Sequence, residues 1–118
     1  MDSNNILNQL KSIFEKYEPN LSLLHNKIDN YYLNTPTTET IKKSEFFGAV
    51  QVKKSYVAFH LMPIYYYPEL LDTISEELKK KMQGKSCFNF KDNDEKLFAE
   101  LKSLTESSFD KYKSLNKV

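Results

Sequence analysis

Residues 46–62 read FFGAVQVKKSYVAFHLM, and this stretch decides the fold. Two runs rich in β-branched and aromatic residues, FFGAVQV and YVAFHLM, flank the polar Lys53-Lys54-Ser55, which is the pattern of a β-hairpin. Successive strand residues point to opposite faces. Val50, Val52, Val57, Phe59 and Leu61 therefore share one side, and Phe47, Ala49, Gln51, Tyr56, Ala58, His60 and Met62 the other. The first side is core; the second mixes small, aromatic and polar groups, as a partly covered surface does.

Working outward towards the N-terminus, TPTTETIKKS over residues 35–44 follows neither period and reads as an exposed loop. Before it, LSLLHNK and NYYLNT are short β-favouring runs separated by Ile28-Asp29-Asn30, so a second strand pair is expected. At the start of the chain, Ile6, Leu10, Ile13, Phe14 and Tyr17 recur at three- and four-residue steps and predict a helix over residues 4–17. Ser3 or Asn4 is its expected N-cap, and Pro19 stops it.

Towards the C-terminus, Pro63 ends the hairpin, and Tyr65-Tyr66-Tyr67 before Pro68 mark a sharp corner, with one helical turn over residues 69–72. Ser75 is placed to cap a helix that carries Glu76 and Glu77 at its positive end and Lys79, Lys80 and Lys81 at its negative end, with Gly84 as its terminator. Ser86-Cys87-Phe88-Asn89-Phe90 is a brief strand with Phe88 and Phe90 on one side and Cys87 on the other. Asp92 followed by Glu95 resembles a capping box, and Leu97, Phe98, Leu101 and Leu104 form a helical stripe behind it. Phe109, Tyr112 and Leu115 extend a last helix from about Thr105.

The totals agree with one domain. A chain of 118 residues with 40% hydrophobic and 28% charged side chains can build a single core without disulfides or metal. Seventeen basic and sixteen acidic side chains leave a formal charge of +1, so no global field draws in nucleic acid or an anionic membrane. The lone Cys87 makes no internal disulfide, and MDSNNILNQLKSIF lacks the basic start and apolar run of a signal peptide. No stretch approaches the ~18 apolar residues of a membrane span. A reducing, cytoplasmic setting is the expectation.

The residue chemistry excludes more than it assigns. Gly84-Lys85-Ser86 looks like the end of a phosphate-binding loop, but Lys79 occupies the position of the required upstream glycine, and the tripeptide leaves a helix instead of opening one. One Cys and two His, at positions 87, 25 and 60, fall short of the ligand clusters that hold structural metals. Cys87 with His60 as base could be drawn as a nucleophilic pair from neighbouring strands, although a buried free Cys is commonly inert. Tyr65, Tyr66 and Tyr67, with Tyr31 and Tyr32, could stack a flat ligand, yet such residues more often staple a sheet corner. The lysine run is matched by the helix dipole and offset by Glu76 and Glu77, so a solvated face is the simpler reading.

Four runs carry a resemblance: Tyr31-Tyr32-Leu33, Phe47-Gly48-Ala49-Val50, the segment from Tyr56 to Pro63, and above all the segment from Met82 to Phe90, MQGKSCFNF. Together they resemble the YdhG-like family of small bacterial domains of unknown function, over roughly residues 21–113 and in the same order. The resemblance implies a compact α+β sandwich and, because some members are compared with frataxin and labelled iron chaperones, a function in iron handling. No iron ligand carries over residue by residue. The only acids in or beside the first helix are Asp2, Glu15 and Glu18, where a carboxylate ridge for a hard cation needs several on one face.

The expected architecture is one α+β domain over residues 1–118. It has an antiparallel sheet of about four or five strands with the N- and C-terminal helices packed on one face. The other face, where Tyr32, His60, Gln83, Lys85, Cys87 and Asn89 could converge, is the expected site. The expected function is a non-catalytic binding module for a small molecule or partner protein, acting without a cofactor as a monomer or weak homodimer. A frataxin-like iron chaperone and an enzyme using Cys87 and His60 are the alternatives.

Overall fold

The computed structural model describes residues 1–118. Chain order gives helix α1 (Ser3–Glu15), strands β1 (Ser22–Lys27), β2 (Asn30–Asn34), β3 (Phe46–Val52) and β4 (Val57–Leu61), short helices α2 (Pro63–Tyr66) and α3 (Glu76–Lys79), strand β5 (Cys87–Phe90) and helix α4 (Glu95–Ser114). The five strands form one antiparallel sheet in the order β1-β2-β3-β4-β5. Helix α1 packs on β3, β4 and α4, while α2, the 3₁₀ turn Pro68–Thr73 and α3 pack on α4. All the helices thus lie in one layer, as the alternation of the central hairpin requires, and no helix is long and apolar enough to cross a membrane.

The core lies between the two layers. Phe14 of α1 stacks on Phe59 of β4 with ring centroids 4.8 Å apart, and Tyr17 stacks on Phe109 of α4 at 4.7 Å. Phe90 meets Phe98 edge to face at 5.0 Å, fastening β5 to α4. Each such side chain, fully buried, contributes about 1.5–3 kcal/mol of transfer free energy. Val50, Val57, Phe59 and Leu61 are all buried on this side, as alternation predicts.

Phe47 departs from that alternation. Expected on the outer face, it is instead fully buried and meets Phe14, Phe109 and Tyr112 edge to face. The cause is a register shift in the β2–β3 ladder, where Leu33 pairs with Gly48 but Asn34 pairs with Phe46. The extra residue changes the phase of the strand, sending Phe47 to the core and leaving Phe46 outside.

Three local expectations are corrected by capping and edge pairing. The N-cap of α1 is Asp2, whose carboxylate accepts from the Asn5 amide at 3.1 Å, and the cap of α4 is Asp94, accepting from Leu97 at 3.0 Å, in place of Ser3 or Asn4 and Asp92. Ser75 does cap α3, yet this helix stops at Lys79 because the following residues serve β5. The Gln83 amide donates to the Cys87 carbonyl at 2.9 Å, and Asn89 donates to Lys81 at 2.8 Å, closing the outer edge of β5. Gly84 then reverses the chain with φ +81°, a left-handed turn that suits glycine.

Helix α4 runs unbroken through Thr105. The buried Thr105 and Ser108 hydroxyls donate to the Leu101 and Leu104 carbonyls at 2.8 and 2.7 Å, so both side chains are satisfied inside the helix layer. The loop over residues 35–45 is closed at its neck, where the Thr35 amide donates to the Glu45 carbonyl at 2.7 Å and the Glu45 amide to Thr35 Oγ1 at 2.8 Å. Pro36 and Thr38 line a hollow with Phe109, Lys113 and Val118, which puts this loop on the helical side and leaves the far side of the sheet uncovered.

Candidate functional site

The uncovered face is built from two rows that cross the sheet. Strand register aligns His25, Tyr32, Ala49, His60 and Cys87, one from each strand, and beside them Asn30, Gln51, Ala58 and Asn89. Ala49 and Ala58, the smallest side chains in the two rows, are buried. They form the floor between an aromatic side and a polar side.

The aromatic side is a contact chain. Phe46, left outside by the phase change, stacks on Tyr32 with centroids 4.7 Å apart and planes at 30°. His25 meets the other side of Tyr32 edge to face at 5.8 Å, and His60 meets Phe46 at 6.4 Å. On the polar side, Gln51 Nε2 donates to Asn30 Oδ1 at 3.2 Å, and the Cys87 thiol donates to Asn89 Oδ1 at 3.3 Å.

Burial holds the His60 pKa below its ordinary value, and the Lys53 ammonium at the hairpin turn adds to the effect. Burial also pushes the Cys87 thiol up, with Lys53 opposing it weakly. His60 is thus neutral and Cys87 protonated near neutral pH. Their Cα atoms are direct cross-strand partners, but the pair is not polarised into base and thiolate.

Of the six residues expected at the site, Tyr32, His60, Cys87 and Asn89 share this face. Gln83 adjoins it, because its pairing with Cys87 sets it at the β5 edge. Lys85 stands apart in the following turn, with Nζ 6.0 Å from the Tyr65 ring centre, where it lines a hollow on the helical side with Ile64, Pro68, Leu71 and Met82. Phe46 and His25 were not foreseen, and Gln51, which alternation did place on this face, was not counted among the site residues. The doubled aromatic Phe46-Phe47 was the available signal, since neighbouring strand residues cannot both enter one core.

Hollows of the surface lie between α1 and α4, beside α3, under the residue 35–45 loop, between α1 and β1, and at the Tyr65 corner. None of these is lined by Tyr32, His60, Cys87 or Asn89. No three His, Cys, Asp or Glu side chains gather closely enough to hold a metal ion. Asp2 is engaged as a helix cap, and Glu18 accepts from the Tyr31 hydroxyl at 2.5 Å. Compared with protein-family models, with curated proteins and with solved structures, the chain matches none.

Proposed function

We propose that this chain is a non-catalytic binding module that takes up a partner protein on the open face of its sheet. The observation that carries this reading is the aromatic chain His25, Tyr32, Phe46 and His60 standing beside the Ala49 and Ala58 floor on a face without helices. Large rings flanked by neutral hydrogen-bonding groups are the residue types that dominate protein interfaces. A small molecule is favoured less, because sites for small ligands enclose most of the ligand in a concavity, and the hollows described above lie elsewhere. The iron-handling reading implied by the YdhG-like resemblance draws no support from the donor geometry, and catalysis by Cys87 draws none from its protonation.

The test compares wild type with Phe46→Ser, each purified gently from the host and weighed by native mass spectrometry. An added mass of protein size on the wild type, absent from a variant that keeps its circular dichroism spectrum, is expected. A bare wild type, or an adduct retained by the variant, contradicts the reading.

A further inference from the structure

The chain after α4 folds back on its own helix. Asn116 takes the left-handed conformation with φ 60°, and the Lys117 amide donates to the Tyr112 carbonyl at 2.9 Å. This turn delivers the Lys117 ammonium into a corner with aromatic walls. Its Nζ stands 4.9 Å from the centre of the Tyr112 ring, 5.6 Å from that of Tyr66 and 3.7 Å from Glu45 Oε2. Two rings and one carboxylate, from α4, α2 and the neck of the residue 35–45 loop, thus surround a single positive charge. The Tyr112 hydroxyl is buried without a hydrogen-bond partner, and the nearby Glu45 charge adds to the burial that raises its pKa.

We infer that Tyr66, Tyr112 and Glu45 form a binding site for an alkylated ammonium ion of single charge, with Lys117 as its internal occupant. The cation already held there gives the ligand class. Ring faces attract positive charge through their quadrupole, and a methylated ammonium sheds its water more readily than the strongly hydrated lysine head. Glu45 balances one charge, and Lys111, with Nζ 5.0 Å from the centre of the adjoining Tyr67 ring, opposes a second. A hard metal ion would find one carboxylate where it needs several oxygens. Lys117 is a replaceable occupant: its side chain is 34% accessible and that of Glu45 46%, and exposed ion pairs and cation–π contacts are individually weak. The idle Tyr112 hydroxyl is a second sign of a ligand, since an unpaired buried donor costs stability and an oxygen on the entering cation would accept from it. This site lies in the helical layer, away from the open sheet face.

The test titrates tetramethylammonium against sodium at constant ionic strength into wild type and Lys117→Ala, reading the tyrosine ring protons by NMR. Lys117→Ala empties the site and should bind saturably, roughly tenfold or more tightly than wild type, and adding Tyr66→Leu should weaken that binding by roughly tenfold. Tyr66 is exposed, so both variants should keep the fold, which circular dichroism checks. If Lys117→Ala does not fold, the wild type decides: tetramethylammonium should saturably shift the Lys117 Cε protons out of the ring-shielded range. Absence of saturable binding to folded Lys117→Ala overturns the proposal, as does an affinity equal to that of wild type or indifferent to Tyr66→Leu. Where only the wild type is folded, Lys117 protons that do not move overturn it.

Discussion

The edge of the Phe14 ring lies where a side chain on Gly48 would begin: a Cβ there would come within 2.6 Å of Cζ and 2.7 Å of Cε1. The His60 carbonyl stands 3.0 Å away on another side. Gly48 is therefore what lets α1 sit down on β3 and bring Phe14 onto Phe59. Gly48→Ala should destabilise the protein by about 1–3 kcal/mol, measured by urea denaturation. Adding Phe14→Leu, which shortens the intruding group, should recover part of that loss, and strict additivity of the two changes would contradict the steric account.

Ser75 joins α3 to α4 through one carboxylate. Its amide donates to Glu100 Oε1 at 2.8 Å and its hydroxyl to Oε2 at 2.7 Å, while the same hydroxyl accepts from the Leu78 amide at 3.2 Å. Ser75→Ala loses both cap and tether and should cost about 1–2 kcal/mol. A double-mutant cycle with Glu100→Ala should return a coupling of the order of 1 kcal/mol, and a coupling near zero would make the tether irrelevant.

His60 couples stability to pH. Its folded-state pKa lies below the ordinary imidazole value of about 6.5, so the unfolded chain takes up the proton first as pH falls. The stabilising contribution is complete above the ordinary value, declines as pH drops through it, and levels off below the folded value. Urea midpoints across neutral to mildly acid pH should fall more steeply for wild type than for His60→Gln, and Lys53→Ala should lessen the slope. Parallel curves for wild type and His60→Gln would contradict this assignment.

Cys87 should behave as a sluggish thiol. Burial raises its pKa, and its proton is committed to Asn89. Alkylation by iodoacetamide at neutral pH should be slower than for the urea-unfolded chain, and slower still in Lys53→Ala, which removes the charge that favours thiolate. A folded-state rate above that of the unfolded chain would return the enzyme reading to consideration.

The hairpin, the strand pair before it, the single strand after it and the helix faces were legible in the sequence because each depends on a short period that burial enforces. What escaped depends on single-residue events. The phase change at Phe46 exchanged the places of Phe46 and Phe47, and no propensity scale registers one unpaired residue in a ladder. The Lys80–Gln83 segment reads as helix from its lysines, yet the open edge of β5 claims its backbone, a tertiary demand invisible to local pattern. Alternation set Tyr32, His60, Cys87 and Asn89 on one face of the sheet, as the strand register does. It missed where a turn redirected the chain, at Lys85, and where the bulge placed Phe46.

The central claim is that the open sheet face is the surface that meets a partner, and in-cell photo-crosslinking tests it most directly. A benzophenone side chain is placed at Asn89 on that face or at the exposed Lys102 on the helical layer, with Phe46 intact or changed to Ser. A discrete cross-linked protein species from position 89, lost in the Phe46→Ser background and absent from position 102, is the predicted result. A species from position 102 alone, or none from position 89, would contradict it.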